Sequence, residues 1–324
     1  LAHALAQRSA VTPEGHVPIA VVDRNGLDES VHHGCAVVLG ASGEVLRAVG
    51  DHTQVVFGRS CLKPLQAAAM ARTSVRLEVR QWALACASHD GSPVHLDVVR
   101  STLAAAGLDE RVLATTPDLP YDRVEADRVL LDGGGPSALA MNCSGKHAAF
   151  IATCVAEGWD VDGHLTPTHP LQQHITAVID ELCAADGGVR HVGVDGCGAP
   201  THAMALVGLA RALHTVARDV DEVRTAMTSH PVLVAGPTRP ATMLMTAVPG
   251  LIAKDGAEGV FIASLPGVAT VVVKVADGAV RAGAPVAASL LRRAGVAVPT
   301  DLDSDLAPPA RGAGAPVGRV RSLV

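Results

Sequence analysis

The chain has 324 residues, with 26 Lys and Arg against 32 Asp and Glu, for a formal net charge of −6. Hydrophobic residues make up 48% of it but aromatic residues only 2%, so its core is built from Ala, Val and Leu. With three Phe, two Trp, one Tyr and no dense basic face, it lacks what phosphate neutralisation and base stacking need, and nucleic acid is excluded as a partner. No stretch approaches the roughly 18–20 apolar residues of a membrane span, so no membrane partner is expected.

Residues 1–16 read as a loose leader. No apolar run follows Arg8, so this is not a signal peptide. Val17 to Val22 has strand character, and Ala36–Leu39, Gly40–Gly43 and Glu44–Val49 read as a hairpin with a Gly-rich turn. From about residue 59 the pattern turns helical. Ser92-Pro93 supplies a helix start, Leu96, Val99 and Leu103 share its apolar face, and Gly107 ends it. A second helix opens near Pro170, with Leu171, Ile175, Val178 and Leu182 on one face. A third is expected after Pro200, with Met204, Leu209, Leu213 and Val216 buried. Strand character returns at Gly259–Ala263 and Ala269–Val275, Asp277-Gly278 makes a turn, and a closing helix carries Val286, Leu290, Leu291 and Ala294. Residues 306–316, rich in Pro, Gly and Ala, read as flexible, and Val317 to Val324 as a returning edge strand.

Strands at both ends with helices between them predict an α+β fold: one sheet made from the two termini, enclosing a helical middle. The expected organisation is a single catalytic domain over 17–300, with a helical subdomain at about 59–245, and a tail over 301–324. Seven cysteines, an odd number without framework spacing, fit a reducing cytosol with free thiols or a metal site. A cytoplasmic location is expected.

Chemistry concentrates in a few short runs. In Gly58-Arg59-Ser60-Cys61-Leu62-Lys63-Pro64, the proline marks a helix's first turn, which sets the Ser60 hydroxyl and the Lys63 amine on one face. A serine needs a base to become a nucleophile, and a lysine serves when burial or a neighbouring cation leaves its amine neutral. The same spacing also describes a capping serine followed by a solvated lysine. In Met141-Asn142-Cys143-Ser144-Gly145-Lys146-His147, Cys143 falls at a helix N-terminus, where the dipole and Lys146 favour thiolate. Cys197 lies between two glycines in Val194-Asp195-Gly196-Cys197-Gly198. Two thiolates brought together are a start on a zinc site, although buried cysteines more commonly pack as small hydrophobes. Ser88, His89 and Asp90 are consecutive and cannot converge as a triad. Lys254 sits in a Gly-rich turn before a strand, where it either projects into a cleft or is solvated. Arg239 and Thr242 flank a Pro-rich bend that either binds a substrate carboxylate or is exposed.

Together these segments resemble the asparaginase II family, the zinc-linked asparaginases of the rhizobial type. The matching runs are Arg59 to Gln66, Cys86 to His89, Asn142 to His147, Gly193 to Gly198 with Pro200-Thr201, and Ala253 to Gly259, within roughly residues 17 to 296. The chain departs from the family pattern at Asp90 and Ser92, at Met141 before Asn142, and between Arg239 and Thr242. The resemblance implies a fold similar to serine β-lactamases and glutaminases, a homodimer, and hydrolysis of L-asparagine to aspartate and ammonia. It further implies Ser60 and Lys63 as a first catalytic pair, with Ser60 the nucleophile, and Ser88 and Lys254 as a second. Cys143, Lys146 and Cys197 match the family's zinc ligands, and Asp195, His147 and Arg59 match substrate-binding positions. The alternatives are a serine amidohydrolase for glutamine or another ω-amide, or a non-catalytic amino-acid-binding relative.

Overall fold

Runs of Val, Ile and Ala form the sheet, as β-branched residues do when a pleated surface is to be buried. The computed structural model describes residues 13–324, so the leader expected over 1–16 lies outside the described residues except at its end, where Pro13–Gly15 form a 3₁₀ turn. The N-terminal strands are β1 (Val17–Arg24), β2 (Leu27–Leu39) and β3 (Val45–Val49). Then come β4 (Val55–Phe57), β5 (His191–Val194) and β6 (Pro200–Ala205). The C-terminal strands are β7 (Ile252–Asp255), β8 (Val260–Leu265), β9 (Ala269–Val275), β10 (Ala310–Gly312), β11 (Ala315–Gly318) and β12 (Val320–Ser322).

The main sheet runs β12-β1-β2-β9-β8-β7, with β3 also paired to β2, and every pairing in it is antiparallel. The N-terminal strands β1 and β2 therefore lie between the C-terminal strands β12 and β9 in one sheet, as expected of an α+β fold made from both ends of the chain. The hairpin at 36–49 closes through Gly40 and Gly43, the latter at φ +84°. All seven residues of β9 are buried. Side chains alternate between faces along a strand, so both faces of the sheet are covered here. The helices Leu206–Asp219 and Gly283–Arg293 both pack on β9. Each fully buried Val is worth about 1.5–3 kcal/mol over exposure.

A smaller sheet, β4-β6-β5, leads into the helical part. The helix expected after Pro200 begins instead at Leu206, and Met204 lies on a strand. All of β6 is buried between paired neighbours, and a short apolar run reads alike as buried strand or buried helix. Leu209, Leu213 and Val216 are buried as expected. Within the stretch 306–316, expected to be flexible, residues 310–316 belong to the β10–β11 hairpin, which runs on to Gly318, while β12 takes the sheet edge beside β1. Among the described residues no helix is long and apolar enough to cross a membrane. All seven cysteines are free and buried.

Candidate active site

Ser60 stands in a 3₁₀ turn, Arg59–Leu62, that runs directly into the helix Lys63–Ala71. Pro64 is tolerated there because the first turn of a helix leaves its N–H groups unpaired. Arg59 enters the turn at φ +49°, a left-handed conformation that a non-glycine side chain adopts only when its surroundings hold it. Residues three apart eclipse in a 3₁₀ turn, and the Lys63 N–H closes on the Ser60 carbonyl. The two side chains nevertheless part company. The Lys63 amine, buried at 1% exposure, donates to the Ala87 carbonyl, to Ser88 Oγ at 2.9 Å and to Cys143 Sγ at 3.1 Å. Ser60 is half-buried, and no hydrogen bond to its hydroxyl is formed among the described residues.

Cys143 precedes the helix Ser144–Glu157, and Cys197 lies in the turn between β5 and β6. The fold brings these distant thiols together. A hydrogen bond from Cys197 holds the Cys143 thiol far below the usual range against the opposing effect of burial, and Lys63 and Lys146 reinforce it. Cys197, as the donor, is pushed up. The Lys146 amine donates to Cys197 Sγ at 3.2 Å. Burial would lower its proton affinity, but Cys197, Cys143 and Asp195 together raise it. His147 is fully buried and lowered to about 4 by burial and by Lys146, with Cys197 beside it acting in the opposite direction. Two thiols and a nearby imidazole are sulfur and nitrogen donors of the kind zinc takes, and the Lys146 amine joins them only on giving up its proton. Among the described residues no three His, Cys, Asp or Glu side chains converge as a metal-holding group, so any metal here draws on Lys146 beside the two thiols.

Asp195 and Arg59 form the outer wall. Asp195 Oδ1 accepts from Arg59 Nε and Nη2, both at 2.8 Å, and from the Gly196 N–H at 2.9 Å. Burial would raise the Asp195 carboxyl, but Lys146 and Arg59 outweigh it and keep the group ionised. Arg59 also approaches Glu258 at 3.9 Å.

The second expected pair is arranged differently. Ser88 is bonded to Lys63, whereas the Lys254 amine donates to the Asp255 carbonyl at 2.6 Å and to Asp255 Oδ1 at 3.2 Å. Lys254 is completely buried, and burial, with Arg239 and Lys63 nearby, lowers its proton affinity well below that of an ordinary lysine. Ser88, His89 and Asp90 diverge, as neighbours must. His89 Nε2 meets Ser144 Oγ at 2.9 Å, and Asp90 Oδ1 meets His95 Nδ1 at 2.7 Å. The Ser92 hydroxyl turns to His95 Nδ1, at 2.7 Å, instead of capping its helix.

Sequence alone does not single out His95 or Asp255, and it leaves Arg239 between exposure and a carboxylate site. Arg239 is in fact largely enclosed, its side chain 17% exposed. A compositional signal was present in the rarity of lysine. The chain has only Lys63, Lys146, Lys254 and Lys274 against a large excess of arginine, and all four are buried. Charged surface is thus left to arginine, and a lysine in this chain marks an enclosed amine.

Among curated proteins none matches the chain. Two solved structures align with it over most of its length. A beta-lactamase from Mycobacterium bovis is 17% identical, covering 81% of this chain and 94% of its own, with a TM-score of 0.47. A structure titled Mglu is 13% identical, covering 83% of this chain and 69% of its own, with a TM-score of 0.42. Similarities this low add nothing to the topology described above. The profile of the family described as L-asparaginase II matches residues 20–322, nearly the whole chain that carries these serines, lysines and thiols, and the protein belongs to that family.

Proposed function

We propose that the protein hydrolyses the side-chain amide of L-asparagine to L-aspartate and ammonia, with Ser60 as nucleophile. Family membership supports an amidohydrolase. The observation that carries the finer reading is Ser60 itself: a partly open, unbonded hydroxyl next in sequence to Arg59, which pairs with Asp195, and three residues before Lys63, which is bonded to the buried Ser88. A carboxylate beside a guanidinium is complementary to an amino-acid zwitterion. The substrate's α-ammonium takes Asp195 and its α-carboxylate takes Arg59, replacing the bond those two make with each other.

The Ser60 oxygen attacks the amide carbonyl carbon and gives its proton, through the Ser88 hydroxyl, to Lys63, which enters the step as the neutral amine with its lone pair turned to Ser88. The carbon–nitrogen bond then breaks as the proton returns to the departing nitrogen, leaving ammonia and a β-aspartyl ester on Ser60. Water attacks the ester by the same proton route, and aspartate leaves with Ser60 restored. Cys143, Lys146 and Cys197 would hold a zinc ion, which when bound supplies a positive charge that stabilises nearby negative charge. The seven free thiols are in keeping with a cytoplasmic setting.

The test is ammonia release from L-asparagine and L-glutamine by the wild-type protein and by Ser60→Ala, with and without zinc. Release from asparagine that vanishes in the variant supports the reading. A preference for glutamine moves the substrate to the longer amide, and no release under any metal condition overturns it.

A further inference from the structure

Arg239 has two partners that belong to different halves of the site. Its Nη1 donates to the Ser88 carbonyl at 2.9 Å, and its Nη2 pairs with Asp255 Oδ2. The other oxygen of the same carboxylate, Oδ1, takes the Lys254 amine. One side of the guanidinium is covered by the Tyr121 ring, 4.7 Å from its centroid. Its backbone is extended, φ −89° and ψ 148°, as the residue before Pro240 requires, so the side chain leaves from a fixed point.

We propose that Arg239 is a positioning residue that, by bridging the Ser88 carbonyl and the Asp255 carboxylate, fixes the Lys254 amine against the Ser88–Lys63 pair; this role rests on the amidohydrolase reading above. Only a planar fork reaches both partners at once, whereas lysine would offer a single point charge. The charge arrangement has a direction. Lys254 is faced by Asp255 from β7, by Arg239 from the Pro240–Ala247 helix start and by Lys63 and Cys61 from the Ser60 turn. Cys86 and Cys143 act on it as well. With Arg239 in place, the charge of Asp255 is already answered and a third cation is disfavoured, which agrees with the lowered proton affinity of Lys254. Without Arg239, Asp255 is free to hold Lys254 as a protonated ion pair, no longer held against the Ser88–Lys63 pair.

Because the chain has four lysines, ¹³C-labelled lysine gives few enough NMR signals for each amine to be titrated, with Lys254→Met assigning its own signal. In Arg239→Gln the Lys254 titration moves to higher pH by on the order of one unit or more. The kcat for asparagine falls on the order of 10²-fold with KM little changed. In Arg239→Lys the Lys254 titration stays low because a cation remains, while kcat still falls because the bridge is lost. An unmoved Lys254 titration in Arg239→Gln overturns the proposal, whether or not kcat falls, since a merely structural loss leaves that titration in place. The NMR arm needs no substrate. If the wild-type protein releases no ammonia, the amidohydrolase reading fails separately, and the titration still decides whether Arg239 governs Lys254.

Discussion

The Lys63 amine is hydrogen-bonded to the Ser88 hydroxyl at 2.9 Å, although Ser60, three residues before it, is the serine that local spacing would pair with it. The buried serine is bound to the amine and the open serine is unbound. In the proposed mechanism Ser60 receives the acyl group and Ser88 carries the proton.

Ser60→Ala is accordingly expected to remove ammonia release almost entirely, by on the order of 10⁴-fold or more. Ser88→Ala should lower kcat by about 10²–10³-fold while leaving acylation of Ser60 detectable by mass spectrometry. The opposite pattern, with the ester on Ser88, would reverse the two roles.

Replacing Lys63 separates charge from proton transfer. Arg cannot give up its proton, so Lys63→Arg places a fixed cation beside Cys143 and Ser88 and removes the base. Activity should fall by about 10³-fold at every pH between 6 and 9. Recovery at high pH would show that Lys63 serves only as a charge.

The thiol pair predicts metal dependence readable without turnover. Elemental analysis should find zinc on the wild-type chain and little on Cys143→Ser or Cys197→Ser, and chelation should lower the Tm of the wild type alone. Equal metal content in all three proteins would remove the zinc assignment.

Asp90 accepts from His95 and from the Ser92 N–H. Burial opposes its ionisation, but these bonds hold the carboxyl well below its ordinary range. A carboxyl depressed in the folded state contributes stability above its unfolded pKa and loses it as pH falls toward the folded value. Asp90→Asn should therefore cost about 1.5–3 kcal/mol near neutrality, with the difference from wild type shrinking below about pH 4. Thermal melts at pH 7 and pH 3.5 check this. A gap that is the same at both values would mean the ionised carboxylate contributes nothing.

Gly145, inside the Asn142–His147 run, is where the Ser144–Glu157 helix meets Leu84. A Cβ there would lie 2.4 Å from Leu84 Cγ and 2.7 Å from its carbonyl oxygen. Gly145→Ala should destabilise the protein by about 1–3 kcal/mol, seen as a lower Tm. An unchanged Tm would mean that the Ser144–Glu157 helix and the Val79–Ala85 helix, which carries Leu84, separate without cost.

The amino-acid sequence by itself determined the α+β order of elements, the hairpin at 36–49, the helix starts at Pro64, Pro93 and Pro170, and the runs in which Ser60, Cys143 and Cys197 lie. These depend on periodicity, proline and glycine, which act within a few residues of chain. It misread Pro200–Ala205 because a short buried segment has no polar face to reveal its period. Which lysine meets which serine was decided only by the tertiary structure. Spacing pointed Lys63 to Ser60, but its flexible side chain follows the nearest acceptors across the fold, Ala87, Ser88 and Cys143. The fold likewise turned Lys254 to Asp255 and enclosed Arg239 between Ser88 and Tyr121. Buried charged groups must find partners in three dimensions, and spacing along the chain does not say which elements will supply them.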